Sequence, residues 1–239
     1  MKIIETYEKI KKDFLRQDGI AGIFLIGKGA KVSKEEFDSL NDIDLLVVYD
    51  NDHVFMRKVE LIEGKMFDIS YISMTAIREL IDKKVPRWIT IIGNSKSEGI
   101  FNTKLEEMIH ETIDLYNDGT AKLTKDQIEV ERFLISSKFE DILNRKDNEP
   151  EAMFLIDLLL KKITLTYFNF KRLWPCPDKK LLSVLKRVDE KAYDYCNKVI
   201  LERDLDKRIE LLREFVLYIL EPYGGMCSTI EKREFPVGL

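Results

Sequence analysis

An α+β domain followed by an all-helical one is the architecture this sequence predicts, on three observations. Apolar runs of strand length alternate with helix-period segments up to about residue 120. From Thr124 onward only helical periodicity remains. The chain of 239 residues, 45% of them hydrophobic, is long enough for two domains of ordinary size. The change of character falls near residues 119–124, which divides the chain into 1–120 and 121–239.

Taken in order, residues 2–17 set Ile4, Tyr7, Ile10 and Phe14 at helical spacing among charges, an amphipathic helix that Gly19 ends. Gly22–Ile26 reads as a short strand closed by Gly27-Lys28-Gly29-Ala30. A polar loop containing residues 31–39 leads to a strand over Asp42–Tyr49. Residues 53–62 fit either a helix or a strand. Gly64 introduces Met66–Ile72, whose alternation and aromatic content predict a strand. Residues 75–84 fit a helix that Pro86 cannot continue; Trp88–Ile92 and Gly99–Phe101 read as strand or loop. Thr103 and Glu106 have the spacing of a capping box for a helix over Leu105–Tyr116, with Gly119 at its end.

In the second half, Thr124 and Gln127 form another capping box, ahead of a helix over Lys125–Arg145. The helix from about Pro150 to Leu173 is apolar nearly all round, which predicts a central place in a bundle. Trp174-Pro175-Cys176-Pro177 breaks the pattern. Helices follow near 178–187, 189–202 and 204–221, then a peripheral tail over 226–239.

Composition excludes several classes. A net charge of −4 and a pI near 5.5 argue against a general polynucleotide binder, which needs basic surface against phosphates. They allow a cationic small substrate and are equally ordinary for a cytoplasmic protein. Residues 1–7 lack the apolar core of a signal peptide. The apolar stretch 152–170 is broken by Asp157, Lys161 and Lys162, so no membrane partner is expected. Cys176, Cys196 and Cys227 are odd in number and far apart, as reduced thiols are. With only His53 and His110 besides, a Cys/His zinc site is not expected.

The chemistry centres on Asn41-Asp42-Ile43-Asp44-Leu45-Leu46-Val47. Strand alternation sends Asp42 and Asp44 to one face, roughly 6.5–7 Å apart along the chain. Two carboxylates so placed repel unless one is protonated or a cation lies between them. A divalent metal is one solution; an acidic turn opening a strand is the bland alternative. Asp68, inside the strand Met66–Ile72, is a third acid, unfavourable there unless paired or liganding. Three carboxylates on adjacent strands would hold Mg²⁺ and clamp a triphosphate. The turn at Gly27–Gly29 offers free backbone N–H groups to phosphate oxygens.

With these residues in view, the sequence resembles the DNA polymerase β-like nucleotidyltransferase superfamily. The matching segments are Phe24-Leu25-Ile26-Gly27, then Asn41-Asp42-Ile43-Asp44-Leu45-Leu46-Val47, then Phe67-Asp68-Ile69, within residues 20–72. The resemblance implies a mixed-sheet catalytic domain followed by a helical bundle, in the layout of the aminoglycoside nucleotidyltransferases. It implies Mg²⁺ held by Asp42, Asp44 and Asp68, ATP or another nucleoside triphosphate as co-substrate, and phosphate contacts at Gly27 and Lys28. Lys28 stands where the family has a small hydroxylated residue; it would offer the phosphates a cation or crowd them. The implied reaction moves AMP to a hydroxyl of a small, cationic, aminoglycoside-like antibiotic and releases pyrophosphate. No stable nucleic-acid partner is implied, and a homodimer is, since relatives build sites across one. A non-catalytic or regulatory module of the same fold, antitoxin-like or protein-modifying, is the alternative; a polynucleotide-directed transferase is the third reading.

Family members use a carboxylate of the helical domain as general base, and Glu131 is the candidate here. It sits at the edge of the stripe Ile128, Ile135, Phe139 and Ile142; pairing with Arg132 or a lysine across the groove is its alternative role. Asp157 is expected to pair with Lys161 at i+4. His53 and His110 read as surface residues, Trp174 as packing, and Lys179-Lys180 as solvated or phosphate-reaching.

Overall fold

The computed structural model describes residues 3–50 and 55–231, so His53 and the tail beyond 231 lie outside the described residues. The chain divides into two compact units, Met1–Gly119 and Thr120–Leu239.

The first unit is built on a five-stranded sheet. Helix α1 (Ile3–Leu15) precedes β1 (Ile20–Ile26); two 3₁₀ turns, Gly29–Lys31 and Lys34–Ser39, lead to β2 (Asp42–Tyr49). Strands β3 (Met56–Ile62) and β4 (Lys65–Ser73) follow as a hairpin, so residues 56–62 take the strand of the two options the sequence left open. Glu63 and Gly64 between them have φ of 50° and 79°, the left-handed pair a type I′ hairpin requires. The sheet order is β3-β4-β2-β1-β5, with β5 at Lys96–Ile100. The β2–β4 pair is parallel and the others antiparallel, so β4 returns between its own hairpin partner and β2.

Alternation along β2 sorts the core. Ile43, Leu45 and Val47 join Ile23, Leu25, Phe67 and Ile69 under Tyr7 and Phe14 of α1 and Phe37 of the second 3₁₀ turn. The opposite face carries Phe24, Leu46, Val48 and Ile72, all buried. Helix α4 (Thr103–Asp118) lies on that face at Gly22, where a Cβ would come 2.7 Å from Leu105 Cδ2. Asp42 and Asp44 belong to this second face.

Two segments of the first unit differ from the sequence expectation. Trp88–Ile92 is neither strand nor loop: it lies in helix α3 (Pro86–Gly93), which follows α2 (Met74–Asp82). Pro86 both bars the earlier helix and opens this one, since a first-turn position needs no N–H donor; Ile89 and Ile92, one turn apart, are its buried residues. At α4 the cap is Asn102, whose side chain accepts from Lys104 N–H. Thr103 is already helical, so the Thr103–Glu106 box does not form.

Every secondary-structure element described in the second unit is a helix. Helices α5 (Lys125–Leu143), α6 (Glu149–Phe170), α7 (Leu181–Val188), α8 (Glu190–Leu201) and α9 (Leu205–Leu220) close around Ile135, Phe139, Ile163, Leu185, Leu212 and Phe215. Thr124 and Gln127 form their capping box. Helix α6 is not enclosed all round: Phe154 and Leu158, one turn apart, are exposed. Asp157 does not pair with Lys161. It accepts from Arg208 Nη2 at 2.6 Å, a guanidinium that also donates to Val199 O, while Lys161 reaches Asp178 at 2.7 Å. Arg208 is buried, and a charge inside the bundle takes the available carboxylate ahead of a solvated lysine. The three cysteines are free, and burial pushes the Cys196 thiol up to about 11, which keeps it unreactive.

Asp189 ties three helices together. It caps α8 through Ala192 N–H and accepts the hydroxyls of Tyr167 at 2.8 Å and Tyr218 at 3.0 Å. Burial pushes its carboxyl up, but Ala192, Tyr167 and Tyr218 outweigh that and hold it below the ordinary aspartate value. A carboxylate held low stabilises the fold above the unfolded pKa of about 3.9, and that contribution is lost as pH falls through the folded value. Asp189→Ala is expected to cost about 1–3 kcal/mol at neutral pH in urea unfolding. The gap to the wild type narrows below about pH 4; an equal gap at pH 7 and pH 3 contradicts the assignment.

Candidate active site

The site residues of the first unit gather where β1 ends and β2 and β4 begin. Asp42 and Asp44 are half-buried on one face of β2, with Ile43 fully buried between them on the other. Asp44 is the direct Cα partner of Asp68 in the parallel β2–β4 ladder, so their side chains leave the sheet on the same side. On the other flank Asp44 pairs with Ile26, and the next residue is Gly27. Gly27 has φ +66°, and a Cβ there would lie 2.3 Å from Asp44 Oδ2. The glycine is required twice, by the left-handed backbone and by the approach of that carboxylate. Lys28, next in the turn, is exposed.

Two residues that sequence reasoning passed over shape this corner. Arg57 of β3 donates from Nε to Asp68 Oδ1 at 2.7 Å and from Nη2 to Asp68 Oδ2 at 2.5 Å, a bidentate fork. Hydrogen bonds and charge from Asp68, and then the charge of Asp44, raise the guanidinium above its ordinary value. Lys65, at the start of β4, donates to the carbonyls of Asp38 and Leu40, fixing the backbone that enters Asp42. A signal for Arg57 was present in principle. With a two-residue turn at Glu63-Gly64, counting back from Ile62↔Lys65 puts Arg57 opposite Ser70, diagonal to Asp68 on the same face.

The donor chemistry suits a hard cation: Asp42 and Asp44 offer carboxylate oxygens of the kind Mg²⁺ prefers. The third acid is differently placed, because both Asp68 oxygens face Arg57. Among the described residues no group of three or more His, Cys, Asp or Glu is set to hold a metal ion. Asp68 would have to leave Arg57 before it could join Asp42 and Asp44 around a cation.

Glu131 lies in the other unit, on α5. Its oxygens accept from Lys162 Nζ at 2.8 Å and from Thr166 Oγ1 at 2.7 Å, both on α6. Arg132 is not its partner; that guanidinium holds the carbonyls of Gly224 and Gly225. His110 is exposed.

No family model and no curated protein matches the sequence. Among solved structures, the chain is similar to a nucleotidyltransferase-like protein from Exiguobacterium sibiricum 255-15. The match has a TM-score of 0.50 at 16% identity, over 92% of this chain and 75% of that one. The chain has a nucleotidyltransferase-like fold. The likeness spans both units, so the mixed sheet and the helical bundle are both part of it. Strand register alone brings the acids of β2 and β4 together and sets Gly27 beside them. Among the described residues no helix is long and apolar enough to cross a membrane.

Proposed function

We propose that this protein is a nucleotidyltransferase that moves a nucleoside monophosphate, AMP from ATP, to a hydroxyl of a small acceptor. The observation that carries the reading is the register pairing Asp44 with Asp68 across β2 and β4, with Gly27 shaped around the Asp44 carboxylate. Asp42 and Asp44 would hold Mg²⁺, which supplies neutralisation of the triphosphate charge and polarises the reacting phosphoryl group. The backbone of the Gly27–Gly29 turn and the exposed ammonium of Lys28 would orient the phosphates. The acceptor oxygen forms a bond to the α-phosphorus, the bond to the pyrophosphate oxygen breaks, and the acceptor proton leaves to a base. An aminoglycoside-like polycation is the acceptor class, supported by the two-unit layout and the mild acidic balance. A screen of nucleoside triphosphates against hydroxylated amines, read as pyrophosphate release, tests the activity; no release with any pair, from protein that binds ATP, removes it.

The fork between Arg57 and Asp68 favours a second reading, a regulatory module of the same fold that does not turn over. The two readings part on Arg57→Gln. If Asp68 belongs to the metal site, freeing it should tighten Mn²⁺ binding, by up to about fivefold for an exposed ion pair, in a calorimetric titration. Asp68→Asn in the same background should cancel the gain. Unchanged Mn²⁺ affinity in Arg57→Gln leaves Asp68 a structural partner of Arg57.

A further inference from the structure

Strand β3 has β4 on one side, and no strand among the described residues pairs with the other. Six of its seven residues are exposed. Its register with β4 runs without a shift from Met56↔Tyr71 to Ile62↔Lys65. Met56-Arg57-Lys58-Val59-Glu60-Leu61-Ile62 contains no proline or glycine. An edge of this kind is a template for another strand unless something blunts it. Its side chains add apolar surface: Val59 and Leu61 are 52% and 64% exposed, and Met56 and Met66 of the same hairpin are exposed too.

We propose that β3 is a homodimer interface, pairing antiparallel with β3 of a second copy about a two-fold axis at Val59. The charges choose this occupant and this register. About Val59, Lys58 comes opposite Glu60 of the second copy and Glu60 opposite its Lys58, while Arg57 meets Leu61 and Met56 meets Ile62. Centring the axis on Lys58 or on Glu60 sets like charges against themselves, as does an in-register parallel pairing, and like charges directly opposite destabilise a ladder. Lys58 and Glu60 already attract within one strand, at 2.5 Å, and both are free to turn to the facing strand. The pairing joins the two sheets into one, with Arg57, Val59 and Leu61 on the acid-bearing face. Since Val59 is the β4 partner of Asp68, the two acid sites would flank the axis. The interface does not depend on the catalytic reading. A strand pair alone buries less than the roughly 1,200–2,000 Å² of a stable interface, so the dimer dissociates on dilution.

Sedimentation velocity over a concentration series of the full chain tests this. The wild type should show a concentration-dependent dimer. Lys58→Glu and Glu60→Lys should each weaken it by about tenfold or more, and the double exchange Lys58→Glu with Glu60→Lys should restore it. Both positions are exposed, and circular dichroism checks that each single variant is folded. A wild type monomeric throughout, a dimer indifferent to either single exchange, or single losses that the double exchange fails to recover would each overturn the proposal.

Discussion

In the proposed reaction, Asp44→Asn is expected to lower nucleotidyl transfer by about a thousandfold, roughly 4 kcal/mol of the charge stabilisation that a cation held there would supply. Asparagine keeps the size of the side chain and removes its charge, so the β2–β4 ladder stays intact. The variant should therefore unfold close to the wild-type midpoint. Asp44 is the acid with the most built around it: Ile26 is its partner on one strand, Asp68 on the other, and Gly27 leaves it room. Rates measured as pyrophosphate release, beside urea unfolding, separate the two effects. Activity within tenfold of the wild type would remove Asp44 from the chemistry.

Gly27→Ala should come close to that loss by a different route. A left-handed alanine costs about 1–2 kcal/mol, and its Cβ would stand 2.3 Å from Asp44 Oδ2, far inside van der Waals contact. The clashing atom is the end of a side chain that can rotate away, so the fold survives and the carboxylate is displaced. Transfer should fall by about a hundredfold or more, with stability lowered by about 1–2 kcal/mol. The clash acts through the Asp44 carboxylate, so if that route dominates over the phosphate contacts of the turn, Gly27→Ala combined with Asp44→Asn should be little slower than Asp44→Asn alone. Fully multiplicative losses would show that Gly27 acts on something other than Asp44.

What the sequence disclosed about this corner was what is local. The alternation of Asp42-Ile43-Asp44-Leu45 sets two acids on one face by itself, and the helical second half follows from periodicity. Pairing across strands is not local. That Asp44 faces Asp68 depends on β4 returning parallel to β2 inside its own hairpin. That Asp68 faces Arg57 depends on a turn whose left-handed Glu63 no propensity rule announces. The same gap separates Asp157 from its partner. A lysine four residues on is the local candidate, whereas the guanidinium that takes it is 51 positions away, brought there by helix packing. At Pro86 the difficulty is of another kind: the residue that stops one helix also opens the next, because the first turn is where proline fits.

The central claim is that Asp42 and Asp44 hold a cation that in turn holds a nucleoside triphosphate. Isothermal titration of ATP into the full chain, with and without Mg²⁺, tests it most directly. ATP binding that requires Mg²⁺ in the wild type, and that is lost in a folded Asp42→Asn, Asp44→Asn double variant, is the result this account predicts. ATP binding with equal affinity in the double variant, or in the absence of Mg²⁺, would contradict it.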